Sequence, residues 1–296
     1  MIAIGTQYYP AEPASERRQS RSRASLLALG AVIPVNLQFA DETYSPEGFR
    51  TLPILRQDSR TITGAAGTRK PIVSEMFDLL AGVARAEGCR YFAYLNADIE
   101  VTPAALETVL REDRDAYAFS RMDLDPVSGA ELGVELFGLD MFAVDAAWWA
   151  AERRRFRPYI AGEACWDDVY ASIMCGHGRG EIVNERPGIF HERHPTLWNT
   201  GPFAEHNGYL AALDAPYFSR WCRYATRLSE SRKARTPLDS RQLARETLGD
   251  ARLSARETVI HAARHLRARF RHARSKSSRA AATRPQSPRK SGSAEP

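Results

Sequence analysis

Three times within the first 110 residues, a short apolar run gives way to a longer stretch with helical spacing. This alternation restricts the architecture more than any other feature of the chain. Met1–Tyr8 reads as a strand, closed by Pro10 and Pro13, and Ser15–Leu29 as a helix stopped by Gly30. "VIPVNLQF" reads as a second strand, whose proline argues for an edge or a bulge. Pro71 suits a first helical residue, and Ile72, Val73, Met76, Phe77, Leu79, Leu80 and Val83 keep helical spacing up to Gly88. "YFAYL" is a third strand, and Thr102–Pro103 supplies an N-cap and a first residue for the next helix. Strands separated by helices line up in a mostly parallel sheet with helices on its faces. In such sheets ligands bind at the carboxyl ends of the strands.

That rule gives weight to the segment "YFAYLNADIEVTP", where a buried strand ends in Asn96, Ala97 and Asp98. Asn and Asp are ordinary turn formers, but a carboxylate at a strand end can also ligate Mg²⁺ or Mn²⁺ bridged to a diphosphate. Further on, "AYAFS" and "ELFGLDMFAV" are strand candidates, followed by a short helix through Trp148 and Trp149. "RPYIAGEACWDDVYASIMCG" reads as a loop leading into a helix that ends at Gly176, and Gly162 in it permits close backbone approach to a ligand. Asp167 and Asp168 begin that helix. Neighbours there project about 100° apart, so one can face a cleft while the other turns away. "GEIVN" is a strand and "PGIFHERHPTLWN" a loop carrying His191 and His194, suited to one metal ligand and one phosphate contact. Asp41–Thr68 is rich in turn formers and reads as a long functional loop, and Arg60, Arg69 and Lys70 flank the glycines of "TGAAGTRKP" and suit phosphate. Helical segments through Tyr209 and Trp221 close the domain.

Several chemistries are disfavoured. "TGAAGTRKP" is not the GxxxxGK[ST] loop of P-loop enzymes, and no GxGxxG follows the first strand. "HERH" is one residue too short for HExxH, and there is no GxSxG elbow. No apolar run approaches the roughly 18 to 20 residues that span a bilayer, and Met1–Tyr9 does not read as a signal peptide. Four widely spaced cysteines without a CxxC pair fit reduced thiols and a cytoplasmic protein. The net charge of +5 divides unevenly. From Leu228 onward 17 Lys and Arg face 6 Asp and Glu, a net of +11, so the preceding body carries −6. The division expected is a domain over residues 1–228 and a basic, low-complexity tail over 229–296, partly helical or disordered. Such a tail suits peripheral contact with an anionic membrane at its inner face, with no specific nucleic acid expected.

Taken in order, these segments resemble a GT-A glycosyltransferase domain, a Rossmann-like sheet flanked by helices that binds a nucleotide-sugar at its strand ends. "YFAYLNADIEVTP" resembles the strand carrying that family's DxD motif, degenerate here because Asn96 replaces the first Asp. "LQFADE" resembles the second strand and the acidic turn that reads the nucleotide base, pointing to Asp41. "GTRKPIVSEMFDLLAGVA" looks like the helix before the DxD strand. "YIAGEACWDD" resembles the glycine loop and acidic motif, pointing to Gly162, Asp167 and Asp168. "IFHERH" resembles the C-terminal histidine element. The match spans roughly residues 1–199.

The resemblance implies transfer of a sugar from a nucleotide-diphosphate donor to a glycan or other hydroxyl acceptor, in the making of a bacterial surface or secreted glycan. It implies a divalent cation, Mn²⁺ or Mg²⁺, on Asp98 with His191 or His194. Thr6, Gln7, Tyr8, Asp41, Lys70, Asn96 and Gly162 are expected around the donor, and Asp168 or Asp167 at the acceptor as base or positioning group. Two other classes compete. A metal-dependent phosphoesterase or nuclease would use the same Asp and His residues, and a non-catalytic adaptor would bind membrane or nucleic acid through the tail.

Overall fold

The computed structural model describes residues 1–195, 201–236 and 238–249. The chain begins β1 (Ile2–Thr6), α1 (Pro13–Leu27), β2 (Val32–Phe39), β3 (Arg50–Leu55), α2 (Ser59–Thr63), α3 (Val73–Ala86), β4 (Tyr91–Leu95), β5 (Ile99–Val101) and α4 (Pro103–Arg111). It continues β6 (Ala116–Leu124), β7 (Glu131–Asp145), α5 (Ala146–Glu152), α6 (Trp166–His177), β8 (Gly180–Val183), β9 (Ile189–Glu192), α7 (Pro202–Leu213), α8 (Ala215–Ala234) and α9 (Ser240–Leu248).

One nine-stranded sheet runs in the order β3-β2-β1-β4-β7-β6-β9-β5, with β8 also paired to β6. The half built from the strand–helix alternation is parallel: β2 pairs with β1 and β3, and β1 with β4. β7 enters antiparallel between β4 and β6. β6 then carries β8 along its first part and β9 along its last, both parallel. The fold class expected from the sequence, a Rossmann-like α/β sheet flanked by helices, is the one the chain adopts.

The helices cover both faces because both faces are apolar. One side buries Phe77, Leu80, Phe92, Phe142, Trp149, Trp166 and Tyr170, and the other Ile2, Ile4, Ala93, Leu95, Tyr117, Phe119 and Met141. Alternate residues of a strand point to opposite faces, so Phe92 and Ala93 of β4 fall in different cores. β1 is packed too tightly for a side chain at Gly5. A Cβ there would stand 2.6 Å from Leu80 Cδ2 and 2.8 Å from the Val35 carbonyl oxygen.

The structure departs from the sequence reading in four places. The segment read as a long loop contains β3 and α2, the latter capped by the Asp58 carboxylate, which accepts from Arg60 N and Thr61 N. The loop expected around the two histidines begins as β9, because β5 and the end of β6 offer it partners on both sides. Pro71 and Ile72 lie in isolated bridges ahead of α3, with Ile72 extended as its N-cap. Lastly, the Leu228/Ser229 division falls inside α8. The packed body reaches Leu248, since Leu243 and Leu248 of α9 are buried. The basic segment beyond, 250–296, lies outside the described residues. Among the described residues no helix is long and apolar enough to cross a membrane.

Candidate active site

The candidate site lies where β4 ends. Leu95 is the last paired residue there, and Asn96 N still donates to the Asp140 carbonyl on β7 at 3.0 Å. The turn that follows carries Asp98, half-buried, before β5 begins. β5 pairs antiparallel with β9, setting Ile99 opposite His191, while β6 sets Asp123 opposite the same histidine. The sheet itself therefore brings together residues far apart in the chain.

The result is a compact donor cluster. Asp98, His191 and His194 each offer a ligand atom, all within 4.8 Å of one another. Asp98 Oδ2 is 3.1 Å from His194 Nε2 and 3.6 Å from His191 Nε2, and His191 Nδ1 is 3.2 Å from Asp123 Oδ1. Burial opposes the charge on Asp98, but the two imidazoles facing it win and hold its carboxyl far below the ordinary range. The hydrogen bond to Asp98 raises His194, against an opposing effect of burial.

His191 has a carboxylate at each ring nitrogen. A cation seated at Nε2 would be balanced by Asp98 in front of the ring and Asp123 behind it. Two imidazoles and one carboxylate suit cations of the Mn²⁺, Fe²⁺ or Zn²⁺ kind better than Mg²⁺, which prefers an all-oxygen shell. With such an ion bound, Asp123 would be the outer partner that orients the ring.

A second, acidic group adjoins this cluster. Arg121 links the two, donating from Nε to Asp123 at 2.8 Å and from Nη1 to Asp140 at 2.6 Å. Asp140 also accepts from the Asn96 amide, while the Tyr94 hydroxyl donates to Asn96 Oδ1 at 3.1 Å. Asn96 thus spends its side chain on Tyr94 and Asp140 and is not part of the donor cluster.

Beyond Asp140 lies the start of α6. Trp166, 3% exposed, anchors this end by packing against Tyr94, Phe142 and Tyr170 at ring-centroid distances of 5.6, 5.1 and 5.8 Å. The preceding loop is pinned by the fully buried Asn207, whose amide donates to the carbonyls of Ile160 and Ala164 and accepts from Ile160 N. Gly162 and Cys165 take φ values of 68° and 79°. That left-handed geometry is strained for a cysteine and costs of order 1 kcal/mol or more.

The two aspartates diverge as helix geometry requires. Asp167 turns toward Asp140, with Oδ2 3.5 Å from Leu139 N, and burial followed by the Asp140 charge pushes its carboxyl up to about 7. Asp168 is raised well above the ordinary range, by burial first and Asp167 second, and its Oδ1 is buried without a hydrogen-bond partner. Its charge is felt at Cys165 and at Cys222 on α8. The buried Tyr94 phenol is raised first by burial, then by Asp140, Asp98 and Asp167, which lie together around it. Asp167 is therefore the member of the pair on the Asp98 side.

The residues expected around a nucleotide separate into two groups. Thr6 and Tyr8 are 2% and 0% exposed, and Tyr8 packs on Phe49 with its hydroxyl against Ser22 Oγ at 2.9 Å. The side chains of these two are packed into the core at the strand end. Gln7 is accessible and donates to Glu42 at 2.9 Å, and Glu42 also accepts from Phe39 N. Asp41 is exposed and paired to Arg69, which stacks over Phe39 at 4.0 Å. Glu42, next to the expected Asp41, is thus the acid tied to the strand end. Lys70 pairs with Glu163 at 2.7 Å and donates to the Gly162 carbonyl at 3.3 Å.

Sequence reasoning missed Arg121, Asp123, Asp140 and Glu163. A charged residue inside the apolar run "GLDMFAV" was the available signal for Asp140.

No protein-family model matches this chain, and no curated protein does. Among solved structures it is similar to TarS of S. aureus (residues 1–349), at 10% identity and a TM-score of 0.42, over 72% of this chain and 64% of that one. It is also similar to a glycosyltransferase involved in glycosylation of the major capsid of PBCV-1, at 11% identity and a TM-score of 0.37, over 70% and 98% of the respective chains. Likeness at this level carries no argument about activity, which rests on the residues above.

Proposed function

We propose that this chain is a glycosyltransferase that moves a sugar from a nucleotide-diphosphate donor to a hydroxyl acceptor. The observation that supports it is the meeting, at the strand ends of one sheet, of Asp98, His191 and His194 with a buried carboxylate group at Asp140 and Asp167. The first set suits a cation and the diphosphate it neutralises, and the second suits proton transfer.

Asp98, His191 and His194 would hold a Mn²⁺-like ion, which when bound supplies positive charge to the leaving diphosphate. The chain's own residues do the rest. Asp123 fixes the His191 ring, and Arg121 keeps Asp123 and Asp140 at fixed separation. Asp167 takes the proton of the acceptor hydroxyl as its oxygen attacks the anomeric carbon and the bond to the diphosphate breaks. A carboxyl raised toward 7 is a better base than an ordinary one once ionised. Gln7, Asp41 and Glu42, at the ends of β1 and β2, are proposed to face the nucleoside. The acceptor class proposed, a glycan bound for a bacterial surface or for secretion, rests on the motif resemblance.

A thermal-shift series with nucleoside diphosphates and nucleotide-sugars, with and without Mn²⁺, tests this. A true donor at a hundredfold excess over its Kd stabilises by about 2.7 kcal/mol. Indifference to every such compound at millimolar concentration would remove the reading.

A further inference from the structure

One cation beside the site lacks a full partner. α1 lies against β5, tied by the Ser25 hydroxyl, which accepts from Val101 N at 2.9 Å. From α1, Arg17 and Arg21 grip Glu192, at 2.8 and 3.1 Å, and so occupy both oxygens of a buried carboxylate. Arg21 also pairs with Glu100 at 2.7 Å. Arg18 lies between them in sequence, and its side chain is only 13% exposed. Among the described residues its one contact within ion-pair range is Glu192 Oε1 at 4.0 Å, and its buried Nε–H meets no acceptor.

Three guanidinium groups therefore share two carboxylates, and Arg18 is the one left over. A nearly buried, unsatisfied guanidinium is costly unless an anion completes it. Glu192, the carboxylate Arg18 approaches at 4.0 Å, closes β9 directly after His191 and stands two residues before His194. The unsatisfied Nε–H thus lies beside the end of the strand that carries His191 into the cluster.

We infer that Arg18 binds a phosphate group of the diphosphate whose other side is held at that cluster. The guanidinium fork matches a phosphate oxygen pair as it matches a carboxylate. The inference rests on the proposed function, since it assigns the ligand of that same cleft.

Titration calorimetry of the full chain in Mn²⁺, with inorganic pyrophosphate, uridine diphosphate, guanosine diphosphate and the two free nucleosides, tests it in wild type and in Arg18→Met and Arg18→Lys. Arg18→Met should lose about tenfold or more in affinity for pyrophosphate and for whichever diphosphate binds, with affinity for the free nucleoside unchanged. Arg18→Lys should recover part of the loss. Without ligand, Arg18→Met should melt no lower than wild type, because a surplus buried charge has been removed; a purely structural arginine would give a lower melting temperature. Pyrophosphate affinity within twofold of wild type would overturn the assignment and leave the transferase reading standing. Binding of pyrophosphate through Arg18 with no turnover of any nucleotide-sugar would do the reverse. A wild-type chain that binds neither pyrophosphate nor a nucleoside diphosphate would overturn both.

Discussion

Replacing Asp167 by Asn should make the protein more stable and less active, in a way set by pH. The native carboxyl is pushed from the ordinary 3.8 up to about 7, by burial first and by Asp140 second. Below about pH 4 the group is protonated in folded and unfolded chains alike, and its charge costs nothing. Between there and pH 7 the folded chain binds more protons than the unfolded one, so stability falls as pH rises; above pH 7 the whole cost is present. A rise from the ordinary carboxylate range to about 7 sets an upper value of about 4 kcal/mol on that cost. The Asn variant is therefore expected to be about 2–4 kcal/mol more stable than wild type at pH 8.5, with the gap closing by about pH 4. Urea denaturation in metal-free buffer across this range reads it directly. A variant less stable than wild type at pH 8.5, or an offset that does not change with pH, would show that Asp167 is not a strained acid facing Asp140.

Activity should move the other way: the same variant should lose transfer by about a thousandfold, and Asp168→Asn by less, because Asp167 is on the Asp98 side. The wild-type rate should rise through a limb near pH 7 as Asp167 ionises, seen in a pH profile of kcat/KM. His191→Ala should weaken Mn²⁺ binding at least tenfold by electron paramagnetic resonance, and Asp123→Ala, which only frees the ring, by a smaller factor in the same direction. Leu248→Ala should cost about 2–5 kcal/mol in chemical denaturation, since the residue is fully buried where α9 meets the body. An effect below about 1 kcal/mol would mean that the body ends before α9.

The parts of the fold read correctly from sequence are those where each element bears its own signal. The strands at Ile2–Thr6 and Tyr91–Leu95 are mainly apolar runs, and the helix after Thr102 starts at its proline, although the Thr102 hydroxyl donates to the Gly188 carbonyl and does not cap the helix. β3 was not legible, because "RTLPIL" contains a proline and sits at the sheet edge, where a single neighbour, β2, makes it a strand. β9 was masked for a similar reason: four residues become a strand only because β5 and β6 flank them. Asp98, His191 and His194 were each visible as strand-end or loop residues, and the structure brings all three together. Arg121, Asp123 and Asp140 were not, because their charges are set within strand sequences and acquire meaning only through cross-strand register. The same limit applies to Tyr8. A strand-end tyrosine looks like a ligand contact until Ser22 and Phe49 are seen to enclose it.

The central claim is tested most directly by turnover. The full chain would be incubated with uridine-, guanosine- and thymidine-diphosphate sugars in Mn²⁺, with release of nucleoside diphosphate followed alongside Asp98→Ala under identical conditions. The account predicts release from one donor class, raised by a hydroxyl-bearing acceptor, and a fall of about a thousandfold in Asp98→Ala measured below its own melting temperature, with its secondary structure by circular dichroism unchanged. Release that is equally fast in Asp98→Ala, or a wild-type chain that neither binds nor consumes any of these donors, would contradict it.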